Sequence, residues 1–247
     1  MKDLIKKPHR SKVHRRSGNA VVEYCKLLEF NPDLIVMGGV GMRHHETEVM
    51  RENFEGFELY GFEPSPEICK SIKDKFPGYL TDKALSDQIG SEILYVSRSW
   101  KDGSSFYKKK NDGDQNKTRP VSVLTTTLDD FFSHHMMSFE NEECLLWLDC
   151  EGSEALVIRG GKKFIKNHVK VINVEMTGKP RNKGGWASPY EVHLELVKLG
   201  FYQVWTHTHR SVIGQFDAIY VDEDHFDPRY CSCPDSYARW AHNKKVG

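Results

Sequence analysis

The sequence predicts an α/β chain of the Rossmann-like kind, with a seven-stranded, mostly parallel sheet, a final antiparallel strand and helices on both faces. Three observations carry this. Short apolar runs alternate with amphipathic stretches along the chain, the pattern of βαβ units. The run Leu145-Leu146-Trp147-Leu148 is apolar without alternation, as a strand buried on both faces requires. Near the end, Phe201 to Thr206 and Phe216 to Val221 are strand-like and close enough in sequence to pair antiparallel.

The elements follow in order. Ala20 to Phe30 puts Val21, Val22, Cys25, Leu27 and Leu28 on one face of a helix, which Pro32 ends. Leu34 to Met37 is a buried strand running into Gly38-Gly39-Val40-Gly41, and a helix spans His44 to Phe54. Leu59 to Glu63 is the second strand, closed by Pro64; Pro66 then opens a helix to Phe76, at a position where its missing N–H costs nothing. Tyr79 to Leu85 reads as a third strand, and Ser91 to Ser97 as a strand on the sheet margin. Arg98 to Pro120 turns polar and reads as a loop. After the extended stretch Val121 to Thr125, Thr127 caps a helix with Asp129 and Asp130 in its first turn. Cys144 to Asp149 is the central strand, and the helix from Glu154 to Arg159 is interrupted by Gly160-Gly161. Val169 to Glu175 is a strand, Gly178 to Ser188 a basic, glycine-rich loop bearing Trp186, and Pro189 to Leu199 a helix ended by Gly200.

With 247 residues the chain fits one large domain, expected over residues 19–224, with a basic arm at 1–18 and a tail at 225–247. Lys plus Arg (35) equals Asp plus Glu (35), so no global field attracts nucleic acid or an anionic membrane. The arm is the exception: Lys2, Lys6, Lys7, Arg10, Lys12, Arg15 and Arg16 are opposed only by Asp3, which suits either a solvated segment or a contact with an anionic partner. No apolar core of a secretory signal follows it, and no run of about 18 apolar residues spans a bilayer, so a soluble, cytoplasmic protein is expected. The six cysteines are scattered, several within apolar runs, as reduced thiols are. Cys231 and Cys233, with His225 and His242, make at most half a zinc site. No metal ligand is assigned.

Two constellations carry chemistry. In the first, Gly38, Gly39 and Gly41 let the backbone turn tightly and approach a ligand, and the next helix directs free N–H groups toward it. Glu63 stands 22 residues beyond Gly41 (63 − 41), near the roughly 20 expected of a carboxylate that takes the hydroxyls of an adenosine ribose. A dinucleotide would want Gly or Ala where Gly39-Val40-Gly41-Met42-Arg43-His44 has His44, whereas a sulfonium amino acid, having no phosphates, tolerates that. The alternative is a glycine turn serving packing alone.

In the second, Asp149-Cys150-Glu151-Gly152-Ser153-Glu154 lies at the carboxyl end of the central strand, the edge at which open α/β sheets bind ligands. Three carboxylates in six residues repel unless they hold a cation, a proton or hydroxyls. Methyl transfer to an alcohol needs such a group, because the hydroxyl must lose its proton as the new bond forms. Glu175, ending the next strand, projects into the same region. Asp149, Glu151 and Glu175 are the candidate catalytic residues, and Glu154 reads as a first-turn acid favoured by the helix dipole.

Together these segments resemble the FkbM-type methyltransferases. Leu148-Asp149-Cys150-Glu151-Gly152-Ser153-Glu154 with Gly160-Gly161 is similar to their Asp-Val-Glu-Gly-Ala-Glu…Gly-Ala segment, and Tyr60-Gly61-Phe62-Glu63-Pro64-Ser65-Pro66 to Ala-Phe-Glu-Pro-x-Pro. Ala84-Leu85-Ser86-Asp87-Gln88-Ile89-Gly90 is similar to Ala-Leu-Ser-Asp-x-x-Gly, and Thr126-Thr127-Leu128-Asp129 to Thr-Thr-Leu-Asp. The motifs keep family order over Leu34 to Glu175. The resemblance implies a class I methyltransferase fold, S-adenosylmethionine as donor and O-methylation of a sugar, glycan or other small hydroxylated molecule. It also implies that Glu63 and Pro64 bind the ribose end, that Ala84, Leu85 and Ser86 lie near the adenine, and that Ser105, within Ser104-Ser105-Phe106, approaches the cofactor. The family's Asp-x-Gly-Ala-Asn-x-Gly turn is replaced here by Val36-Met37-Gly38-Gly39-Val40-Gly41, so the grip on the methionine end falls to His45, Glu46 or Thr47. A divalent cation is compatible with the acids but not called for.

His207 and His209 suit a base, a metal ligand or a solvent-facing strand end, and Trp186 either stacks on a sugar or anchors its loop. Two other readings compete. Methylation of RNA ribose would draw on the basic arm, but no lysine stands beside Asp149 or Glu175, so a nucleic-acid partner is not expected. A non-catalytic nucleoside-binding module would have no use for the acidic cluster.

Overall fold

The computed structural model describes residues 16–42, 45–97, 103–109, 118–134, 141–177, 182–183, 187–208, 215–236, 239 and 242. Most of the basic arm, His44, Trp186, His209 and the centres of the loops expected at 98–120 and 178–188 lie outside them. Helix α1 (Arg16–Leu27) precedes β1 (Leu34–Gly38), α2 (His45–Asn53), β2 (Glu58–Phe62), α3 (Pro66–Ile72), β3 (Tyr79–Thr81), β4 (Ala84–Leu85), β5 (Gly90–Ser97) and β6 (Lys108–Lys109). Then come β7 (Thr118–Thr126), α4 (Leu128–Ser133), β8 (Cys144–Leu148), α5 (Glu154–Gly160), α6 (Lys162–His168), β9 (Val169–Thr177), β10 (Asn182–Lys183), α7 (Pro189–Lys198), β11 (Tyr202–Thr208) and β12 (Gln215–Val221).

Seven strands form the main sheet in the order β11-β12-β9-β8-β1-β2-β3. From β9 through β3 every neighbour is parallel, while β12 runs antiparallel to both β9 and β11. This is the class I methyltransferase sheet. Successive residues of a strand point to opposite faces, so Leu34 and Val36 pack with α4 to α7 while Ile35 and Met37 pack under α1, α2 and α3. The continuous apolar runs of β1 and β8 follow from burial on both sides.

Local chemistry closes the helices where the composition indicated. Thr127 Oγ1 accepts from the Asp130 N–H at the start of α4, and Pro66 occupies the first turn of α3 after Ser65. Asp129 goes further: its carboxylate accepts the Lys163 and Phe164 N–H groups, capping α6 from 34 and 35 residues away. Much of the Thr-Thr-Leu-Asp motif is therefore helix capping. At the α5 to α6 junction, a β-carbon on Gly160 would stand 2.1 Å from the Ser86 carbonyl oxygen, so only glycine lets the junction seat against β4.

Several expectations change, among them the loops expected at 98–120 and 178–188, which hold β6, the start of β7 and β10, and Leu27, which is exposed. Helix α1 runs from Arg16 to Leu27 rather than from Ala20 to Phe30, because Glu29 takes a left-handed turn (φ 54) ahead of Pro32. The stretch Tyr79 to Leu85 is two strands: β3 pairs with β2 in the main sheet, and after Asp82-Lys83 the chain joins β7 as β4. Ser91 to Ser97 does not extend the margin of the main sheet; β5 pairs with β7 in a separate sheet of order β4-β7-β5, with Ala84, Leu94, Val96 and Val123 as its own small core.

Beyond β12 the chain folds back onto the domain. Phe226 stacks on Tyr202 at 4.4 Å, the Tyr24 hydroxyl donates to the Tyr230 carbonyl, and Ser232 Oγ donates to the Val204 carbonyl. All six cysteines are free thiols. No described helix is long and apolar enough to cross a membrane.

Candidate active site

The sheet register sets out the site. Gly38 pairs with Phe62 and with Leu148, and Leu148 pairs with Val174. The next residue on each strand, Glu63, Gly39, Asp149 and Glu175, therefore emerges side by side on the same face at the carboxyl edge. The row continues across the antiparallel strands, where Glu175 pairs with Asp217 and Asp217 with His207. Four carboxylates and a histidine thus line one edge of one face.

Gly39 makes this edge possible. Its φ is +79, and a β-carbon there would lie 1.9 Å from the Asp149 carbonyl oxygen. The turn is held by the Gly39 N–H on the Phe62 carbonyl and the Asp149 N–H on the Gly38 carbonyl, each at 2.9 Å. Glu63, buried at 5% exposure, accepts the Gly41 N–H at 2.8 Å on one oxygen and the Ser65 N–H at 2.9 Å on the other.

The loop after β8 is built around Glu154. Its Oε1 accepts the Cys150 N–H at 3.0 Å and the Gly152 N–H at 3.1 Å, which folds Asp149 to Ser153 back over the strand end. Glu151 is held at φ 49, a left-handed conformation uncommon outside glycine, and its carbonyl accepts from Ser105 Oγ at 2.8 Å. Glu154 is accordingly a structural acid. Burial pushes its carboxyl up to about 7 against the N–H bonds that lower it.

That shift has a consequence for stability. The folded value lies above the ordinary one near 4.5, so the contribution of protonated Glu154 is fully present below about pH 4.5 and is lost as pH rises through about 7. Glu154→Gln keeps an acceptor and never ionises. Thermal melts should show the variant gaining on the wild type from pH 4.5 to pH 8; a pH-independent difference would refute the buried charge.

One cavity joins the two constellations. Its wall includes Gly38, Gly39, Val40, Gly41, Glu46, Glu63, Pro64, Ala84, Leu85, Ser105, Asp149 and Glu151. Glu175 is not a wall residue, but one oxygen from each of Asp149, Glu151 and Glu175 lies within 4.8 Å of the others. Burial, then the charges of Glu175, Glu151, Glu154 and Asp217, hold the Asp149 carboxyl well above the usual carboxylate range. The Gln215 side-chain amide donates to Glu175 Oε1.

Ser86 is not part of this wall: it is buried, its N–H bonds the Thr126 carbonyl, and its carbonyl abuts Gly160. His45 lines the cavity with Glu46, whereas Thr47 is buried away from it. Among the described residues, Cys231 and Cys233 belong to no metal-competent group; the Cys231 thiol bonds the Cys233 carbonyl instead.

Sequence reasoning passed over Phe62, Ile68, Leu94, Trp147 and Cys150, all in the wall. Trp147 could have been found, since it lies two residues before Asp149 and so on the same face of β8. Leu94 reaches the cavity from the smaller sheet, a placement with no local signal, and Phe106 reaches it from the segment packed against that sheet's core.

Comparison with known proteins follows the same lines. Residues 36–202 match the methyltransferase FkbM domain. No curated protein matches by sequence. Among solved structures, magnesium protoporphyrin IX methyltransferase from Synechocystis PCC 6803 is similar at 10% identity over 87% of both chains, with a TM-score of 0.46. Methyltransferase FkbM from Methylobacillus flagellatus KT is similar at 12% identity over 77% of this chain and 43% of that one, with a TM-score of 0.46. Fibrillarin from Aeropyrum pernix is similar at 10% identity over 83% of this chain and 76% of that one, with a TM-score of 0.44. With more than half of its length inside the domain match, this chain belongs to the FkbM methyltransferase family.

Proposed function

We propose that this protein is an S-adenosylmethionine-dependent O-methyltransferase acting on a hydroxyl of a sugar, glycan or other small molecule. The observation that carries the reading is the single cavity whose wall holds Glu63 together with Asp149 and Glu151. In this reading the Glu63 carboxylate in the cavity wall takes the ribose hydroxyls, and Pro64, Ala84 and Leu85 of the same wall receive the adenine. The Gly38 to Gly41 turn lets the methionine end approach the backbone, where the Glu46 carboxylate can take its ammonium.

The transfer is an in-line displacement. The acceptor oxygen bonds the methyl carbon as the carbon–sulfur bond breaks, the electron pair goes to sulfur, and the hydroxyl proton goes to a carboxylate among Asp149, Glu151 and Glu175. Residues 19–224 serve as the catalytic domain, with the arm at 1–18 and the tail at 225–247 as appendages. Of the segments expected as loops, Ser104, Ser105 and Phe106 line the cavity and contribute to the acceptor wall in this reading.

The donor half is tested by calorimetry. Hydrogen bonds to a charged group contribute about 1.5 to 3 kcal/mol each, so loss of both in Glu63→Ala should weaken S-adenosylmethionine binding by roughly 10²- to 10⁴-fold. Unchanged affinity removes the donor assignment. The acceptor half is tested by following S-adenosylhomocysteine across a panel of sugars, glycans and small alcohols, and turnover on none of them counts against it.

A further inference from the structure

We propose that Asp149, Glu151 and Glu175 bind one hard divalent cation, magnesium or manganese, which takes the acceptor's hydroxyl oxygen as a further ligand. This rests on the O-methyltransferase reading and assigns the acidic cluster a more definite part in it.

The first argument is geometric. One oxygen from each of the three side chains lies within 4.8 Å of the other two. Oxygens on opposite sides of a cation with bonds of about 2.1 to 2.4 Å are about 4.2 to 4.8 Å apart, and adjacent ones are closer, so the three already span a single coordination sphere. The donors are all carboxylate oxygens, which favour magnesium, manganese or calcium over zinc or copper. Glu154 and Asp217 add negative charge around the cluster without joining it, so a cation there relieves repulsion.

The second argument is independent of the acids. Asn173 is at 0% exposure, and neither its amide oxygen nor its amide nitrogen has a partner. Leaving such a group bare costs about 1 to 3 kcal/mol, and a native structure that tolerates it does so for a bound water, an ion or a functional reason. Its position indicates which. Asn173 precedes Glu175 by two residues on β9 and so points to the same face. It pairs with Trp147, which lines the cavity, just as Asp149 follows Trp147 by two residues on β8. The bare amide is therefore the layer directly beneath Asp149 and Glu175. An amide oxygen is a hard donor suited to such a cation or to a water in its shell.

The supporting contacts fit the same role. Gln215 holds one oxygen of Glu175, and Ser105 anchors the backbone of Glu151. Outer hydrogen bonds of this kind orient ligand carboxylates. Bound to the cation, the acceptor hydroxyl loses its proton more readily. The proton passes to a cluster carboxylate oxygen and then to water, the oxygen takes the methyl carbon, sulfur keeps the electron pair, and the cation is unchanged.

The test is manganese binding by electron paramagnetic resonance on the full-length, chelator-treated protein. One manganese per chain is expected, weakened at least 10-fold in Glu175→Gln and in Asn173→Leu, with S-adenosylmethionine affinity of Glu175→Gln retained by calorimetry. Should Glu175→Gln fail to fold by circular dichroism, Glu151→Gln takes its place with the same expectation. No manganese bound by folded wild type at millimolar concentration, or equal affinity in folded variants, overturns the site. Once an acceptor is found, methyl transfer should stop with chelator and return with magnesium. Chelator-insensitive transfer would discard the cation and leave the methyltransferase reading intact. Manganese binding without transfer to any hydroxyl would keep the ion site and overturn the proposed acceptor ligation.

Discussion

Asp149→Asn should lower kcat by about 10²- to 10⁴-fold, the range attributable to a lost proton acceptor, while S-adenosylmethionine affinity stays within about threefold. The reason is positional. Asp149 emerges between Gly39 and Glu175 on the reaction face of the sheet and lines the cavity, whereas the contacts expected to hold the donor belong to Glu63 and the Gly38 to Gly41 turn. The substitution changes little in shape and removes a carboxylate from a cluster of like charges, so the fold should not suffer. Single-turnover rates and calorimetry on the same preparation separate the two halves: Glu63→Ala loses binding first, Asp149→Asn loses chemistry alone. Full turnover in Asp149→Asn would remove its catalytic role.

Gly39→Ala should be the most damaging single methyl in the protein. A left-handed backbone costs a side-chain-bearing residue about 1 to 2 kcal/mol, and overpacking a closed site adds about 1 to 3. Here the atom in the way is the Asp149 carbonyl oxygen at 1.9 Å, part of the backbone, so no side chain can swing aside. The strands must separate where Gly38 binds both Phe62 and Leu148. A sum of about 2 to 5 kcal/mol lowers Tm by roughly 5 to 20 °C in a domain of this size. Gly56→Ala is the control: φ there is +74, but nothing lies within 4 Å, so only the conformational part should appear. Equal melting of the two variants would show that the turn has room.

Both predictions join something written locally in the chain to something that is not. The strand ending in Gly38, the strand ending before Glu63 and the strand ending before Asp149 are readable because buried parallel strands are unbroken apolar runs and their ends are marked by glycine, proline or acids. The cap at Thr127 is readable for the same reason, since a cap depends on residues three positions apart. The break in Tyr79 to Leu85 is not readable, because Asp82-Lys83 carries neither glycine nor proline and the change of partner from β2 to β7 is decided by distant strands. The Ala-Leu-Ser motif shows the limit of a local signal: Ala84 and Leu85 reach the cavity, while Ser86 turns to bond Thr126 and receive Gly160.

By itself the sequence determined the α/β class, the glycine turn and the presence of acids at strand ends, because hydrophobic period and turn chemistry act over a few residues. The tertiary structure alone decided that Glu63, Asp149, Glu175, Asp217 and His207 share one row, that Leu94 reaches the cavity from a second sheet, and that Asn173 lies bare beneath the acids. Those facts depend on register between strands far apart in the chain, and a shift of one residue would send every one of these side chains to the opposite face.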